Sequence, residues 1–208
     1  MRNSLIPSRA PSIPPPVVSG FVSILTLYFS KLDSLFRSIL GPIGGQYIDC
    51  PYGLFFNTVD QTFAAANTAY PVAYNATYLT NSVDLSNTSR INTRIAGVYN
   101  FQYSGQFTST NASTKNIFVW LRRSGTDIGF STRDYTLSGS GSSIAVTWDF
   151  DIDMDVNEYM EVVVSVTDTN VVLNASPAAA PHPGIASSVI SVNFIAPIPD
   201  PRPTPPPP

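Results

Sequence analysis

Residues 98–109 read VYNFQYSGQFTS, and the period of this stretch decides the fold class. Successive side chains of an extended strand point to opposite faces. Val98, Asn100, Gln102 and Ser104 therefore share one side, and Tyr99, Phe101, Tyr103 and Gly105 share the other. The aromatic side is a core face and the polar side faces water.

The same period of two recurs on either side of this stretch. Residues 52–57, 70–79, 90–95, 115–125, 127–137, 142–154, 158–168 and 188–195 are rich in aromatic and β-branched residues, with Gly, Asn, Asp and Ser between them. Nine or ten strands with no helical pattern among them predict a sandwich or a closed barrel over residues 51–195. In SVISVNFI (188–195), Ile190, Val192 and Phe194 alternate with Val189, Ser191, Asn193 and Ile195. A C-terminal strand with such an apolar row is expected between two others, so that the domain closes only when its last strand is made.

Upstream the period changes. Within residues 17–40, Val18, Val22, Leu25, Phe29, Leu32, Phe36 and Ile39 are spaced alternately four and three apart, the spacing of a coiled-coil seam. Phe21, Tyr28 and Leu35 form a second row beside it, and a stripe that wide favours a trimer over a two-stranded coil. Other readings of the segment are a helix packed on its own domain, a signal peptide or a membrane span. Lys31, Asp33 and Arg37 interrupt the apolar run, and no small-residue cleavage site is evident.

The ends have another composition. Residues 1–16, MRNSLIPSRAPSIPPP, hold five prolines, and proline fixes φ and removes a donor, so this is an extended arm. Residues 196–208 form a second proline-rich tail, and residues 41–50 a linker. Such arms are either free tails or tethers that lie along another protein.

Composition excludes several functions. The formal net charge of −3 offers no footprint for a phosphate backbone, so nucleic acid is not an expected partner. Cys50 is the only cysteine and His182 the only histidine, so no disulfide forms within the chain and a zinc site or Ser-His-Asp triad would hang on one residue between prolines. No Gly-rich phosphate cradle, H-E-x-x-H or G-x-S-x-G occurs. The chain is expected to be no enzyme and to use no cofactor. Four Asn-x-Ser/Thr sequons, at Asn75, Asn87, Asn111 and Asn174, carry little weight in a chain rich in these residues.

The stretch WDFDIDMDV (148–156) places Asp149, Asp151, Asp153 and Asp155 on one face. Same-face neighbours on a strand lie about 6.5–7 Å apart, too far for four carboxylates to share one ion. A calcium loop needs Gly at its sixth position and Glu at its twelfth, where this sequence has Met154 and Met160. Two readings stay open: a solvated face paired with Arg122, Arg123 or Arg133, and an ion site built from neighbouring pairs or from several subunits.

Taken together, AGVYNFQYSGQF (96–107), IFVWLRRSGTD (117–127) and NEYMEVVVS (157–165) resemble the jelly-roll head shared by complement and tumour-necrosis-factor-like proteins, and more narrowly its version in phage and other viral structural proteins. Glu158 and Tyr159 stand where many members carry Gly-Asp-Tyr. The resemblance covers residues 51–195. It implies an all-β jelly roll of about ten strands forming a homotrimer, with the stalk at one end and exposed loops such as RSGTD (123–127) and SGSGSS (138–143) at the other. Calcium occurs in some members.

These readings give a non-enzymatic trimeric virion surface protein, a head fibre, decoration protein or tail fibre. Its N-terminal arm and helix would meet capsid or tail proteins, and its jelly roll would meet a host glycan or protein, with no membrane contact. The alternative is a soluble carbohydrate- or receptor-binding module of the same fold, with Tyr78 or Tyr135 as exposed platforms.

Overall fold

The computed structural model describes residues 15–40 and 50–198, with side chains at 20–36 and 50–198. Most of the expected arm, linker and tail lies outside the described residues. The chain divides into two compact units, residues 1–48 and 49–208.

In the first unit, helix α1 runs from Pro15 to Leu40 and so takes in the last two residues expected in the arm. Proline is tolerated in a first helical turn because the amide hydrogen it lacks has no partner there. At about 1.5 Å per residue, its 26 residues make a rod roughly 39 Å long. Thr26 donates its hydroxyl to the Val22 carbonyl at 2.8 Å and Ser30 to that of Leu27 at 2.9 Å, so these polar groups are satisfied within the helix.

The second unit holds the strands: β1 (Tyr52–Asn57), β2 (Gln61–Thr62), β3 (Tyr70–Pro71), β4 (Ala76–Asn81), β5 (Val83–Ser86), β6 (Arg90–Thr93), β7 (Gly97–Ser109), β8 (Lys115–Arg123), β9 (Thr126–Asp127), β10 (Arg133–Leu137), β11 (Ser143–Met154), β12 (Tyr159–Val166), β13 (Val171–Leu173) and β14 (Ser188–Ala196). They form two antiparallel sheets. The first runs β4-β1-β14-β7-β11, with β13 and β2 continuing beside the end of β7; the second runs β5-β6-β12-β8-β10. Strand β3 adds to β12, and β9 to β8.

The pairs β1·β14, β6·β12, β7·β11 and β8·β10 are nested in sequence like a single long hairpin. Winding that hairpin so that alternate pairs fall in opposite sheets gives a jelly-roll sandwich. As the sequence predicts, β14 lies between β1 and β7.

Tyr99, Phe101, Tyr103 and Phe107 of β7 face inward with Val146, Trp148, Ile152 and Met154 of β11, and meet Ile117, Val119 and Leu121 of β8 and Met160, Val162 and Val164 of β12. The expected single strand at 70–79 is in fact two. Tyr70–Pro71 pairs in the second sheet and Ala76–Asn81 in the first, so the segment crosses between sheets. The expected strand at 127–137 also breaks, at the turn Ile128–Ser131, where the Ser131 amide donates to the Ile128 carbonyl at 3.4 Å. Strands β2, β5 and β13 have only two to four residues, too few to show a period.

Candidate functional site

Register arranges the outer face of the first sheet in rows across β4, β1, β14, β7 and β11. One row reads Asn81, Tyr52, Asn193, Asn100, Asp151; the next Leu79, Leu54, Ser191, Gln102, Asp149; the third Ala76, Phe56, Val189, Ser104, Thr147. The face grades from apolar at β4 and β1, through amides and hydroxyls, to carboxylates at β11. Its apolar end adjoins a cleft of about 570 Å³ lined by Phe56, Val59, Pro177 and Ile185. Val59 and Ile185 are exposed. Scattered apolar side chains on a surface are ordinary, but a contiguous patch marks a contact surface.

The aspartates occupy the outward positions that alternation assigns to them, while Trp148, Ile152 and Met154 are buried and Phe150 packs against the core. Asp151 accepts from the Asn100 amide at 2.6 Å. Arg123 donates to the Asp153 carbonyl at 2.8 Å and to its carboxylate at 3.3 Å. The Asp155 amide donates to Glu158 Oε2 at 2.8 Å, closing the turn into β12. Among the described residues, no group of three or more His, Cys, Asp and Glu side chains is placed to hold a metal ion. Of the three arginines expected as partners, Arg123 pairs with this row. Arg122 binds Asp127 at 2.7 Å, and Arg133 lies 6.0 Å from the Trp148 ring centroid.

On α1, the seam side chains Val22, Leu25, Phe29, Leu32 and Phe36 are all exposed, as are Phe21, Tyr28 and Leu35 of the second row. The seam positions Val18 and Ile39 lie within the helix, but their side chains fall outside the described residues. Ile24 and Leu27 are exposed too. They sit off the seam, which widens the apolar surface beyond what the heptad pattern covers. No helix of the described residues is long and apolar enough to cross a membrane.

Other polar groups make local contacts. His182 Nδ1 lies 3.0 Å from the Pro183 carbonyl in an exposed loop, and Cys50 is exposed with its thiol 3.8 Å from the Phe194 carbonyl. Lys115 is buried and donates to the carbonyls of Asn111 and Ser113 at 3.2 and 2.5 Å, tying down loop 110–114. Asp168 accepts from the backbone and side-chain amides of Asn170 at 2.9 and 2.7 Å and from Asn111 at 3.3 Å. Those bonds, the Asn170 backbone amide first, hold its pKa down to about 2.

Of the two expected aromatic platforms, Tyr135 pairs with Ile117 and packs against the core, so it is no free platform. Tyr78 is exposed at the register shift in the edge strand β4. Phe118 and Trp120, not among the expected site residues, occupy outward positions of β8. The unbroken apolar run IFVWL (117–121) carries the signal, since it leaves apolar side chains on both faces of one strand.

No family model matches the chain, and no curated protein sequence matches it. Among solved structures it is similar to one titled "Structure of Eiger TNF from S. frugiperda", with 14% identity, a TM-score of 0.49, and coverage of 75% of this chain and 99% of that one.

Proposed function

We propose that this chain is a non-enzymatic, homotrimeric structural protein of a virus surface, a head fibre, decoration protein or tail fibre. Its helix gathers three copies, its N-terminal arm and helix fasten them to capsid or tail proteins, and its jelly roll is displayed outward. The observation that carries the reading is the apolar surface of α1. Two parallel rows of large side chains are exposed along a helix of 26 residues, and a helix with so wide a stripe is stable in water only when neighbours cover it. Ile24 and Leu27, off the seam, offer contacts to an anchoring protein. The apolar end of the first sheet supplies a second surface for contact between copies. The virion setting is supported by the resemblance of residues 51–195 to phage structural heads. Three copies of a weak loop contact on one axis bind with more avidity than one.

The test is the solution mass of the full chain, of its Leu25→Asp/Leu32→Asp variant, and of a chain starting at Tyr47. A trimeric full chain with a monomeric double variant places assembly in the helix. Trimers of all three place it in the sandwich and leave the helix free for anchoring. A monomeric full chain sinks the reading.

A further inference from the structure

We propose that the cleft on the outer face of the second sheet, between β8 and the turn Ile128–Ser131, binds a neutral hexopyranose of a surface glycan. The cleft measures about 420 Å³, and Phe118, Trp120, Asp127, Phe130, Thr132 and Ser165 are among the residues that line it. It is built entirely from one chain, so it stands apart from the trimer reading and survives or fails separately.

The turn supplies the first argument. Its third residue, Phe130, has φ of +60°, a backbone region that glycine or asparagine adopts and that is a genuine outlier for a bulky side chain. Glycine stands one position earlier, at Gly129, where this turn has no need of it. Phe130 is nonetheless 79% exposed, so packing within this chain does not account for the ring. Ser131, fully buried, fixes the geometry: its hydroxyl accepts from the Leu121 amide at 3.1 Å and donates to the Ile128 carbonyl at 2.8 Å. Backbone strain of this kind clusters at binding and catalytic sites.

The chemistry of the lining supplies the second. Phe118, Trp120 and Phe130 offer apolar ring surface of the kind that meets the C–H face of a pyranose. Asp127 lies beside them and accepts from Arg122 Nε at 2.7 Å through Oδ1. That hydrogen bond leads the effects that lower the Asp127 pKa, so the carboxylate stays charged and able to accept from sugar hydroxyls. The buried Trp120 indole N–H has no partner at ordinary hydrogen-bond geometry, but its interaction with the Asp127 carboxylate is a further, weaker cause of that lowered pKa. Thr132 and Ser165 are hydroxyl-bearing residues of the same lining.

A few placed polar groups among aromatic walls suit a small ligand that is apolar on its faces and hydroxylated at its edge. The arginine is already paired, and Asp134 sits opposite Phe118 in register. An anionic sugar would thus meet the Asp127 carboxylate and no free cation among the lining residues.

The full chain is assayed on immobilised neutral oligosaccharides of glucose, galactose, mannose and N-acetylglucosamine, with sialylated and sulfated counterparts and a random peptide library alongside. Binding to a neutral glycan is expected. Phe130→Gly and Asp127→Asn should each weaken it by about tenfold or more, Phe130→Tyr should retain it, and Tyr78→Ala should leave it unchanged. Because Phe130→Gly relieves the turn, its melting temperature should stay level or rise, which separates lost binding from lost folding. The proposal is overturned if no neutral glycan binds, if only anionic glycans or peptides bind, or if Phe130→Gly binds as tightly as the parent chain.

Discussion

The ring of Phe194, in the last strand, lies over Gly97 at the start of β7, where a methyl group on Gly97 would overlap it. Phe194 also stands edge-on to Tyr99, with centroids 5.5 Å apart at 81°. The C-terminal strand thus locks into the centre of its sheet through a missing side chain. Gly97→Ala should destabilise the sandwich by about 1–3 kcal/mol, the usual cost of overpacking, although alanine is otherwise better than glycine in a strand. Chemical denaturation measures it, and an unchanged midpoint would show that the ring is free to shift.

Tyr99 donates its hydroxyl to the Ile95 carbonyl at 2.6 Å, but the buried hydroxyls of Tyr74 and Tyr103 have no partner. Burial is the main cause raising the pKa of both phenols, which stay neutral at any ordinary pH. An unsatisfied buried hydroxyl costs about 1–3 kcal/mol. Tyr103→Phe should therefore be neutral or stabilising by roughly 1 kcal/mol, whereas Tyr99→Phe should be destabilising by a similar amount. Loss of stability in Tyr103→Phe would point to an ordered water bonded to that hydroxyl.

Much of this fold is legible because a strand buried on one face must alternate. The inward row Tyr99, Phe101, Tyr103 and the outward row of aspartates follow from that alone. What alternation cannot show is where a segment changes sheets, as at residues 72–75, or where a three-residue strand such as Val171–Leu173 pairs. The aromatic cleft is only partly legible, because the run IFVWL marks Phe118 and Trp120 but nothing in the sequence marks Phe130. Phe130 takes its conformation from the buried hydroxyl of Ser131 bonded to Leu121 across the turn, a tertiary contact with no periodic trace. On the helix the heptad spacing was plain, but Ile24 and Leu27 fall outside it and were invisible to a seam-only reading.

Glu161 is buried in β12 and accepts from Ser89 Oγ at 2.9 Å and from Arg90 Nε at 3.4 Å. The Arg90 guanidinium also lies 4.4 Å from the centroid of the Tyr159 ring. Removing the cation from a buried carboxylate costs about 3–5 kcal/mol, but Arg90 is half-exposed and solvent screens the pair. Arg90→Ala should therefore cost about 1–3 kcal/mol. Lysine should restore only part of this, since a point charge neither stacks on Tyr159 nor matches the planar fork. Full recovery with lysine would assign the effect to charge alone.

Asp168 fastens loop 110–114 to the turn before β13 through its bonds with Asn111, Ser113 and Asn170. Its pKa falls from the ordinary 3.8 to about 2. A depressed folded-state pKa means that the unfolded chain binds the proton more readily. The group's contribution to stability is then complete above pH of about 4 and is lost as pH falls towards 2. Acid should loosen this end of the sandwich first, seen as amide exchange in 110–114 and 168–170 accelerating before that of β7. An NMR titration should place the carboxyl midpoint near 2. Asn170→Ala, which removes the side-chain donor and keeps the backbone amide, should move the midpoint part of the way back towards 3.8. A parent midpoint already at that ordinary value would mean that these bonds do not persist in solution.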